Sequence, residues 1–289
     1  MKELLVVSGK GGTGKTTLTA CLSALDGAKV IADVDVDAAD LFILLKPEMR
    51  LNREFKAGQV AVIDAELCSR CGTCRELCRF EAISENYQVQ PTDCEGCGVC
   101  ARVCPEKAVS LRERVSGEWY VSGTRFGPFV HARLHPGEEN SGKLVALVRH
   151  QARVLAEEQG IPWLLVDGPP GIGCPVISAM AGGGAVLIVT EPTPSGLHDL
   201  RRVAELASHF RLVRAVCINK WDLNPQITLE IERFCQDQDI PLVGRITYDV
   251  LVSRALVARR ILLEWAPESQ PAKDIRRMWE KLHPLVPEV

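Results

Sequence analysis

Residues 9–16 of this chain read Gly9-Lys10-Gly11-Gly12-Thr13-Gly14-Lys15-Thr16, which fits the pattern G-x-x-x-x-G-K-[ST]. An apolar run at residues 4–7 precedes this stretch and predicts a short strand, and residues 16–25 follow with a helix-like pattern. Glycines allow consecutive backbone N–H groups to point inward, and a helix N-terminus adds positive potential. The order of strand, glycine-rich loop and helix therefore predicts a phosphate-binding loop, for which the alternative is a glycine-rich turn without a ligand.

The residues of the loop have distinct expected roles. Lys15 is expected to reach the β- and γ-phosphates of a nucleotide, and Thr16 is expected to bind Mg²⁺ through its hydroxyl. The residues predicted to surround the nucleotide are Gly11, Gly12, Thr13, Gly14, Lys15, Thr16 and Thr17.

Lys10 is a second lysine near the start of the loop, and it extends the motif to K-G-G-x-G-K-[ST]. In this respect the chain resembles the deviant Walker A ATPases, which include MinD, ParA and Mrp, over most of its length outside residues 58–118. The resemblance implies ATP as the nucleotide and a homodimer in the ATP state, in which Lys10 contacts phosphates bound by the opposite subunit. The alternative is that Lys10 is a solvated loop charge.

Polar residues stand at the ends of three further apolar runs. The resemblance implies that Asp33 lies near Mg²⁺, that Asp35 orients the attacking water and that Asp167 holds Mg²⁺ through water. Carboxylates at the C-terminal edge of a parallel sheet, beside a phosphate loop, are well placed to meet a hydrated metal ion. Asn219, in an N-K-x-D tetrapeptide, offers an amide for the adenine edge. For the aspartates, a solvated strand end is the alternative.

Strand and helix patterns alternate through most of the chain and predict an α/β P-loop NTPase with a mainly parallel sheet flanked by helices. Predicted strands lie at residues 29–32, 163–166, 185–189, 215–218 and 241–243, and helices at residues 142–158, 197–209 and 225–236. The first two of these strands are separated by about 130 residues, far more than a crossover requires. We therefore expect an ATPase domain of residues 1–57 and 119–289, interrupted by a small α+β insert of residues 58–118, with residues 119–140 as the returning loop.

Eight of the 12 cysteines form two runs 26 residues apart, each with the spacing C-x₂-C-x₂-C-x₃-C. This spacing is typical of bacterial ferredoxins with two 4Fe-4S clusters, in which the fourth cysteine of each run binds the other cluster. The expected ligand sets are Cys68, Cys71, Cys74 and Cys104 for the first cluster, and Cys94, Cys97, Cys100 and Cys78 for the second. Zinc is the alternative, but a zinc ion needs only four ligands and does not require this spacing. Arg79 stands where the ferredoxin run has proline after Cys78, and its charge would favour the reduced state of the second cluster.

Charge and hydropathy limit the remaining function classes. The formal net charge is −3, and residues 58–118 carry ten acidic and seven basic side chains, so the excess acid lies in the insert and no nucleic-acid partner is expected. No charged and then apolar leader is present, and no apolar run is long enough to span a bilayer, so the sequence predicts a cytoplasmic protein. Ile275, Met278 and Leu282 share one face of a predicted helix, which either packs on its own domain or binds membranes as in MinD.

The four other cysteines fall into two groups. Cys21, Cys217 and Cys235 lie in predicted helices or strands and are expected to be small core residues. Cys174 lies in a loop seven residues after Asp167, near the position of one ligand of the subunit-bridging cluster in the nitrogenase iron protein. It is either such a ligand or a structural or redox-responsive thiol.

Together these features predict an ATP-binding and ATP-hydrolysing iron–sulfur protein of the MinD/Mrp type. Its expected task is metallocofactor or iron–sulfur cluster assembly, or ATP-gated electron transfer, with a metalloprotein client or a redox protein as partner. The alternative is a redox-sensing spatial or cell-division regulator of the MinD/ParA class.

Overall fold

A computed structural model describes residues 1–138 and 141–289 of the chain, which divide into two compact units. The first unit contains Met1–Asn52, Trp119–Arg133 and Ser141–Val289. The second contains Arg53–Glu118 and the short stretch that begins at Leu134.

The described residues form a nine-stranded sheet with the order β3-β4-β5-β2-β6-β1-β7-β8-β9. Its strands are β1 (Lys2–Ser8), β2 (Lys29–Asp33), β3 (Glu48–Ile63), β4 (Val109–Thr124), β5 (Gly127–Leu134), β6 (Trp163–Pro170), β7 (Ala185–Thr190), β8 (Val213–Asn219) and β9 (Leu242–Ile246). Along the part of the sheet that runs β5-β2-β6-β1-β7-β8-β9, every pair of neighbouring strands is parallel. The predicted α/β fold with a mostly parallel sheet is thereby confirmed.

Helices connect the parallel strands, as crossovers in such a sheet require. The helices of the described residues are α1 (Lys15–Ser23), α2 (Leu41–Leu45), α3 (Thr73–Glu76), α4 (Val99–Val103), α5 (Ser141–Glu158), α6 (Cys174–Met180), α7 (Pro194–His209), α8 (Pro225–Asp237), α9 (Val250–Val257), α10 (Leu262–Trp265) and α11 (Gln270–Leu282). Of these, α3 and α4 lie in the second unit, and α9, α10 and α11 follow the last strand. Side chains that accept backbone N–H bonds start three of them: Thr193 for α7, Asn224 for α8 and Asp249 for α9.

The core of the first unit lies on the central strands and the helices packed on them. β1 is buried from Leu4 to Ser8 because both faces of a parallel sheet are covered by helices. α11 contributes Ile275, Met278 and Leu282 to this core. The prediction that the last helix packs on its own domain is therefore confirmed, and its apolar face is not available to a membrane.

The prediction of a returning loop at residues 119–140 is wrong for most of this stretch, which forms strands. β4 continues to Thr124, and β5 adds a strand that pairs in parallel with β2. Glycine, proline and histidine in this stretch indicated a loop, but Phe129 and Val130 are fully buried beside β2, and this tertiary pairing outweighs local composition. Residues 139 and 140 lie outside the described residues.

His131 is held among aromatic rings on β5. Its imidazole stacks on Phe129 at 4.4 Å and on Tyr120 at 4.9 Å between ring centroids, and its Nε2 lies 3.2 Å from Ser122 Oγ. Burial lowers the pKa of His131 from 6.5 to about 4. Between these two values the unfolded chain binds a proton that the folded chain excludes, so stability falls as the pH decreases from 6.5 toward 4.

Between pH 7 and pH 4.5 the free energy of unfolding of His131→Phe is expected to fall by about 2–3 kcal/mol less than that of the unmodified protein. The reason is that phenylalanine keeps the stacking but cannot be protonated. The measurement is the free energy of unfolding by denaturant titration at both pH values. His198→Gln is the matched control, because the His198 side chain is 69% exposed. An equal pH dependence in His131→Phe and the unmodified protein would contradict the assignment.

Candidate functional site

The phosphate loop joins the end of β1 to the start of α1. Gly12 and Gly14 have φ values of 79° and 90°, a left-handed conformation that disfavours other residues. A Cβ atom on Gly14 would also lie 2.4 Å from Asn219 Nδ2, so this position has no room for a side chain. Thr13 Oγ1 is buried without a hydrogen-bond partner.

Lys15 is a buried cation between two carboxylates. Its Nζ lies 2.9 Å from Asp167 Oδ1 and 3.3 Å from Asp35 Oδ2, and it also donates to Thr16 Oγ1 at 3.2 Å. Burial opposes protonation, but the charges of Asp167 and Asp35 outweigh it and raise the pKa of Lys15. Lys15, Asp35 and Asp167, which the sequence predicted as site residues, are therefore brought together.

Asp33 and Asp167 face each other across neighbouring strands, as register partners of β2 and β6. Asp167 Oδ1 accepts hydrogen bonds from Lys15 and from Thr19 Oγ1 at 2.9 Å each, while Oδ2 is buried without a partner. Asp33 accepts from the N–H groups of Asp35 and Leu41. Burial, reinforced by the charge of Asp167, raises the pKa of Asp33 well above its usual range. An unpartnered acceptor among crowded carboxylates fits a hydrated cation such as Mg²⁺.

Lys10 is paired within its own protomer. Its Nζ lies 2.7 Å from Glu191 Oε1 and donates to Ser195 Oγ at 3.0 Å. Lys220 Nζ lies 3.3 Å from the other oxygen of Glu191. Burial alone would raise the pKa of Glu191, but hydrogen bonds from Lys10 and Lys220 lower it. The sequence analysis missed Glu191, although this residue directly follows β7 and so stands at the same edge of the sheet as the aspartates.

Asn219 packs against the phosphate loop and donates from Nδ2 to the Thr13 carbonyl at 2.7 Å. This bond occupies one of the two amide hydrogens that the sequence analysis assigned to a base. A cavity beside the loop is lined by Gly12, Gly14, Thr17, Leu18, Asn219, Lys220, Ile246, Val252, Ser253, Leu256, Leu262 and Ile275. Its apolar wall comes from β9 and the helices after it, which no local motif in the sequence connects to the loop.

The eight clustered cysteines line two cavities in the second unit, and all of them are free thiols. Cys68, Cys71, Cys74 and Cys104 line the first cavity. The second is lined by Cys78, Cys94, Cys97 and Cys100, and Cys74 also contacts it. In residues 1–138 and 141–289, no three His, Cys, Asp or Glu side chains are grouped to hold a single metal ion.

The two cysteine runs repeat in backbone conformation as well as in sequence. Helices α3 and α4 occupy equivalent positions, 26 residues apart. The same left-handed φ recurs at three equivalent pairs: Arg70 and Gly96, Gly72 and Gly98, and Glu81 and Lys107. At Gly96 a Cβ atom would lie 2.2 Å from the Gln59 carbonyl oxygen. Chain turns of this kind let backbone groups approach sulfur ligands closely, which fits an iron–sulfur cluster.

The remaining cysteines behave as two different types. Cys21, Cys217 and Cys235 are buried, which confirms them as core residues, and burial raises the pKa of Cys21 to about 12 and that of Cys235 to about 11. Cys174 is exposed at the first position of α6.

Across the described part of the chain, none of the helices has the length and apolar character to cross a bilayer.

Comparison with known proteins relates this geometry to one family. Residues 4–261 match the model of the CobQ/CobB/MinD/ParA nucleotide binding domain. The uncharacterized protein MJ0578 of Methanocaldococcus jannaschii is 32% identical over 98% of this chain and 97% of its own length. A second uncharacterized protein of that organism, MJ0579, is 24% identical over 78% of this chain and 83% of its own length.

Solved structures share the fold at lower identity. MinD of Pyrococcus horikoshii, determined with Mg-ADP, has a TM-score of 0.59 and 18% identity, covering 97% of this chain and 95% of that one. MinD in the MinC:MinD complex of Aquifex aeolicus has a TM-score of 0.60 and 17% identity, and the match covers 98% of this chain and 96% of that one.

Proposed function

Because the chain belongs to the CobQ/CobB/MinD/ParA nucleotide-binding family, which contains the MinD/ParA-type ATPases, we propose that it binds Mg-ATP and hydrolyses it as a homodimer. One observation carries this proposal: Lys15 lies buried between Asp167 and Asp35 at the base of a glycine loop, with Asp167 Oδ2 unpartnered. The Mg-ADP in the Pyrococcus horikoshii MinD structure supports the choice of metal and nucleotide.

In the proposed site, backbone N–H groups of residues 11–16 bind the phosphates, and the Lys15 ammonium exchanges its carboxylate partners for phosphate oxygens. Thr16, Asp33 and Asp167 would hold Mg²⁺, with Asp167 binding it through water. Mg²⁺ supplies neutralisation of the phosphate charge. Asp35 orients the attacking water. Its carboxylate contacts Lys15, which binds the phosphates, so Asp35 lies beside the phosphate that the water attacks.

Lys10 is the residue that we propose to act across the dimer. In the described structure Glu191, Thr193 and Ser195 hold its ammonium group. A triphosphate carries several negative charges, whereas Glu191 carries one and the two hydroxyl groups carry none, so the ammonium can change partners when two protomers close on ATP. Lys220 remains to balance Glu191.

Asn219 and the cavity beside the loop are proposed to receive the adenine. The cavity combines the Asn219 amide with apolar side chains such as Val252 and Leu256. A mainly apolar cavity with a small number of polar groups suits a flat heterocycle.

The second unit is proposed to hold two 4Fe-4S clusters, the first on Cys68, Cys71, Cys74 and Cys104 and the second on Cys94, Cys97, Cys100 and Cys78. The support is the spacing of the cysteines together with their division between two cavities. The clusters supply one-electron redox chemistry when they are bound. Cysteines held for this purpose stay reduced in the cytoplasm, which is the proposed location.

The ATPase cycle is proposed to serve metallocofactor or iron–sulfur assembly or ATP-gated electron transfer, on a metalloprotein client or a redox partner protein. The association of MinD with MinC in Aquifex aeolicus supports a protein partner for this fold. A spatial regulator is not better supported, and its membrane-binding version lacks a free apolar face on α11.

Asp167→Asn is expected to raise the Mg²⁺ concentration for half-maximal ATP hydrolysis by about 10-fold, because an amide binds the waters of the metal ion more weakly than a carboxylate does. The measurement is steady-state hydrolysis in a Mg²⁺ titration at saturating ATP. Asp37→Asn is the matched control, since Asp37 is an exposed aspartate that follows Asp33 and Asp35 in the chain. Equal Mg²⁺ dependence in the two variants would refute the metal assignment, and lack of hydrolysis in the unmodified protein would refute the proposed activity.

A further inference from the structure

The two cysteine sites have repeated backbones but different neighbours. Thr73 occupies the position in the first run that Val99 occupies in the second, and Ser69 corresponds in the same way to Glu95. Ser69 and Thr73 line the first cavity, whereas Glu95 and Val99 line the second. The first site thus has two hydroxyl donors where the second has a carboxylate and an apolar side chain.

One of these donors contacts a ligand sulfur. Thr73 Oγ1 lies 3.5 Å from Cys71 Sγ, and when the sulfur is a thiolate the hydroxyl is the donor. The N–H of Ala108 donates to Cys104 Sγ at 3.3 Å. Val99 carries no donor, so the sulfur of Cys97 cannot receive the corresponding bond.

The charges after the fourth cysteine of each run do not reverse this difference. Arg79 follows Cys78, but Glu81 stands two residues further on. Glu106 and Lys107 occupy the equivalent segment after Cys104. Each segment thus has one charge of each sign and adds no net charge beside either site. The expectation that Arg79 favours reduction at the second site is therefore offset by Glu81.

Reduction adds negative charge to a cluster and to its sulfur ligands. Donors to those sulfurs stabilise the added charge, and a nearby carboxylate destabilises it. We propose that Thr73 and Ser69 give the first site a higher reduction potential than the second, where Glu95 and Val99 stand. This proposal rests on the two clusters of the proposed function. The first electron that the protein accepts from a reductant such as dithionite then resides at the first site, as a one-electron reduction with no bond made or broken.

The test is a potentiometric titration of the full-length protein with dithionite, prepared anaerobically and followed by electron paramagnetic resonance. The unmodified protein is expected to show two midpoints. Thr73→Val should lower the higher midpoint and leave the lower one unchanged. Val99→Thr should raise the lower midpoint. Glu95→Gln should also raise it, and this variant replaces Val99→Thr in the test if Val99→Thr does not bind both clusters. Thr92→Val is the control, because the Thr92 hydroxyl is bonded to Asp93 and not to a cysteine.

Each result decides between defined conclusions. Unchanged midpoints in Thr73→Val, or a shift of only its lower midpoint, would overturn the proposed order while leaving the two clusters in place. A protein that binds no iron and sulfide after anaerobic reconstitution would overturn both the clusters and this inference. Iron and sulfide content is therefore measured on every sample before its titration.

Discussion

Lys10→Ala is expected to lower ATP turnover by about 10²–10³-fold while the protein still binds the nucleotide, because the variant lacks a cation that stabilises phosphoryl charge across the dimer. Lys220→Ala is the control for the ion pairs of Glu191, since both lysines contact Glu191 and only Lys10 belongs to the loop motif. Because Lys220 also lines the cavity beside the loop, nucleotide binding is measured for both variants. Turnover is measured under steady-state conditions, and binding by titration with a fluorescent ATP analogue. Equal losses in the two variants would assign the effect to the ion pairs of Glu191.

Mixing two inactive variants determines whether Lys10 acts across the interface. In a heterodimer of Lys10→Ala and Asp35→Asn, one site has its own Asp35 and receives Lys10 from the partner, whereas the other site lacks both residues. An equimolar mixture should therefore recover about a quarter of the unmodified rate if dimers exchange at random. Neither variant alone should show this recovery of the hydrolysis rate. A mixture as inactive as its components would contradict action across the dimer.

Where the chemistry of the proposed site is local, the sequence is enough to predict which residues come together. A phosphate loop needs glycines and a lysine within eight residues, and the acids beside it follow apolar strands directly, so the sequence predicts Lys15, Asp35 and Asp167, which lie in contact in the structure. Glu191 follows a strand in the same way but belongs to no motif in the sequence. Its importance arises from Lys10 and Lys220, which are distant in the chain and become neighbours only through the order of β1, β7 and β8.

The strands β4 and β5 illustrate a different limit. β4 and β5 contain glycine, proline and histidine, which locally favour a loop, and their pairing with neighbouring strands determines the outcome. The cavity wall from Val252 and Leu256 was missed for a related reason, because apolar residues in a helix do not indicate which cavity they will line. Cysteine spacing is more informative, since three of the four cysteines in each expected ligand set lie within seven residues of the chain.

The crossed ligand sets predict a specific pattern of iron loss. Cys104→Ala is expected to lower the iron content by up to about half, because Cys104 belongs to only one of the two sites. Cys174→Ala should retain all the iron, as this exposed cysteine lies outside both sets. One apolar cluster of the second unit consists of Ala61, Ala82, Val109 and the ligand residue Cys94, so loss of iron should also lower the thermal stability of this unit.

Double variants separate crossed from uncrossed sets. If Cys104 completes the first site, then adding Cys71→Ala to Cys104→Ala damages the same cluster, and about half of the iron remains. Adding Cys97→Ala damages the other cluster as well, and little iron remains. Uncrossed sets predict the reverse, because Cys97 and Cys104 would then share one cluster. Iron and sulfide quantitation after anaerobic reconstitution reads out the result directly, and it depends on neither ATP hydrolysis nor the identity of a partner.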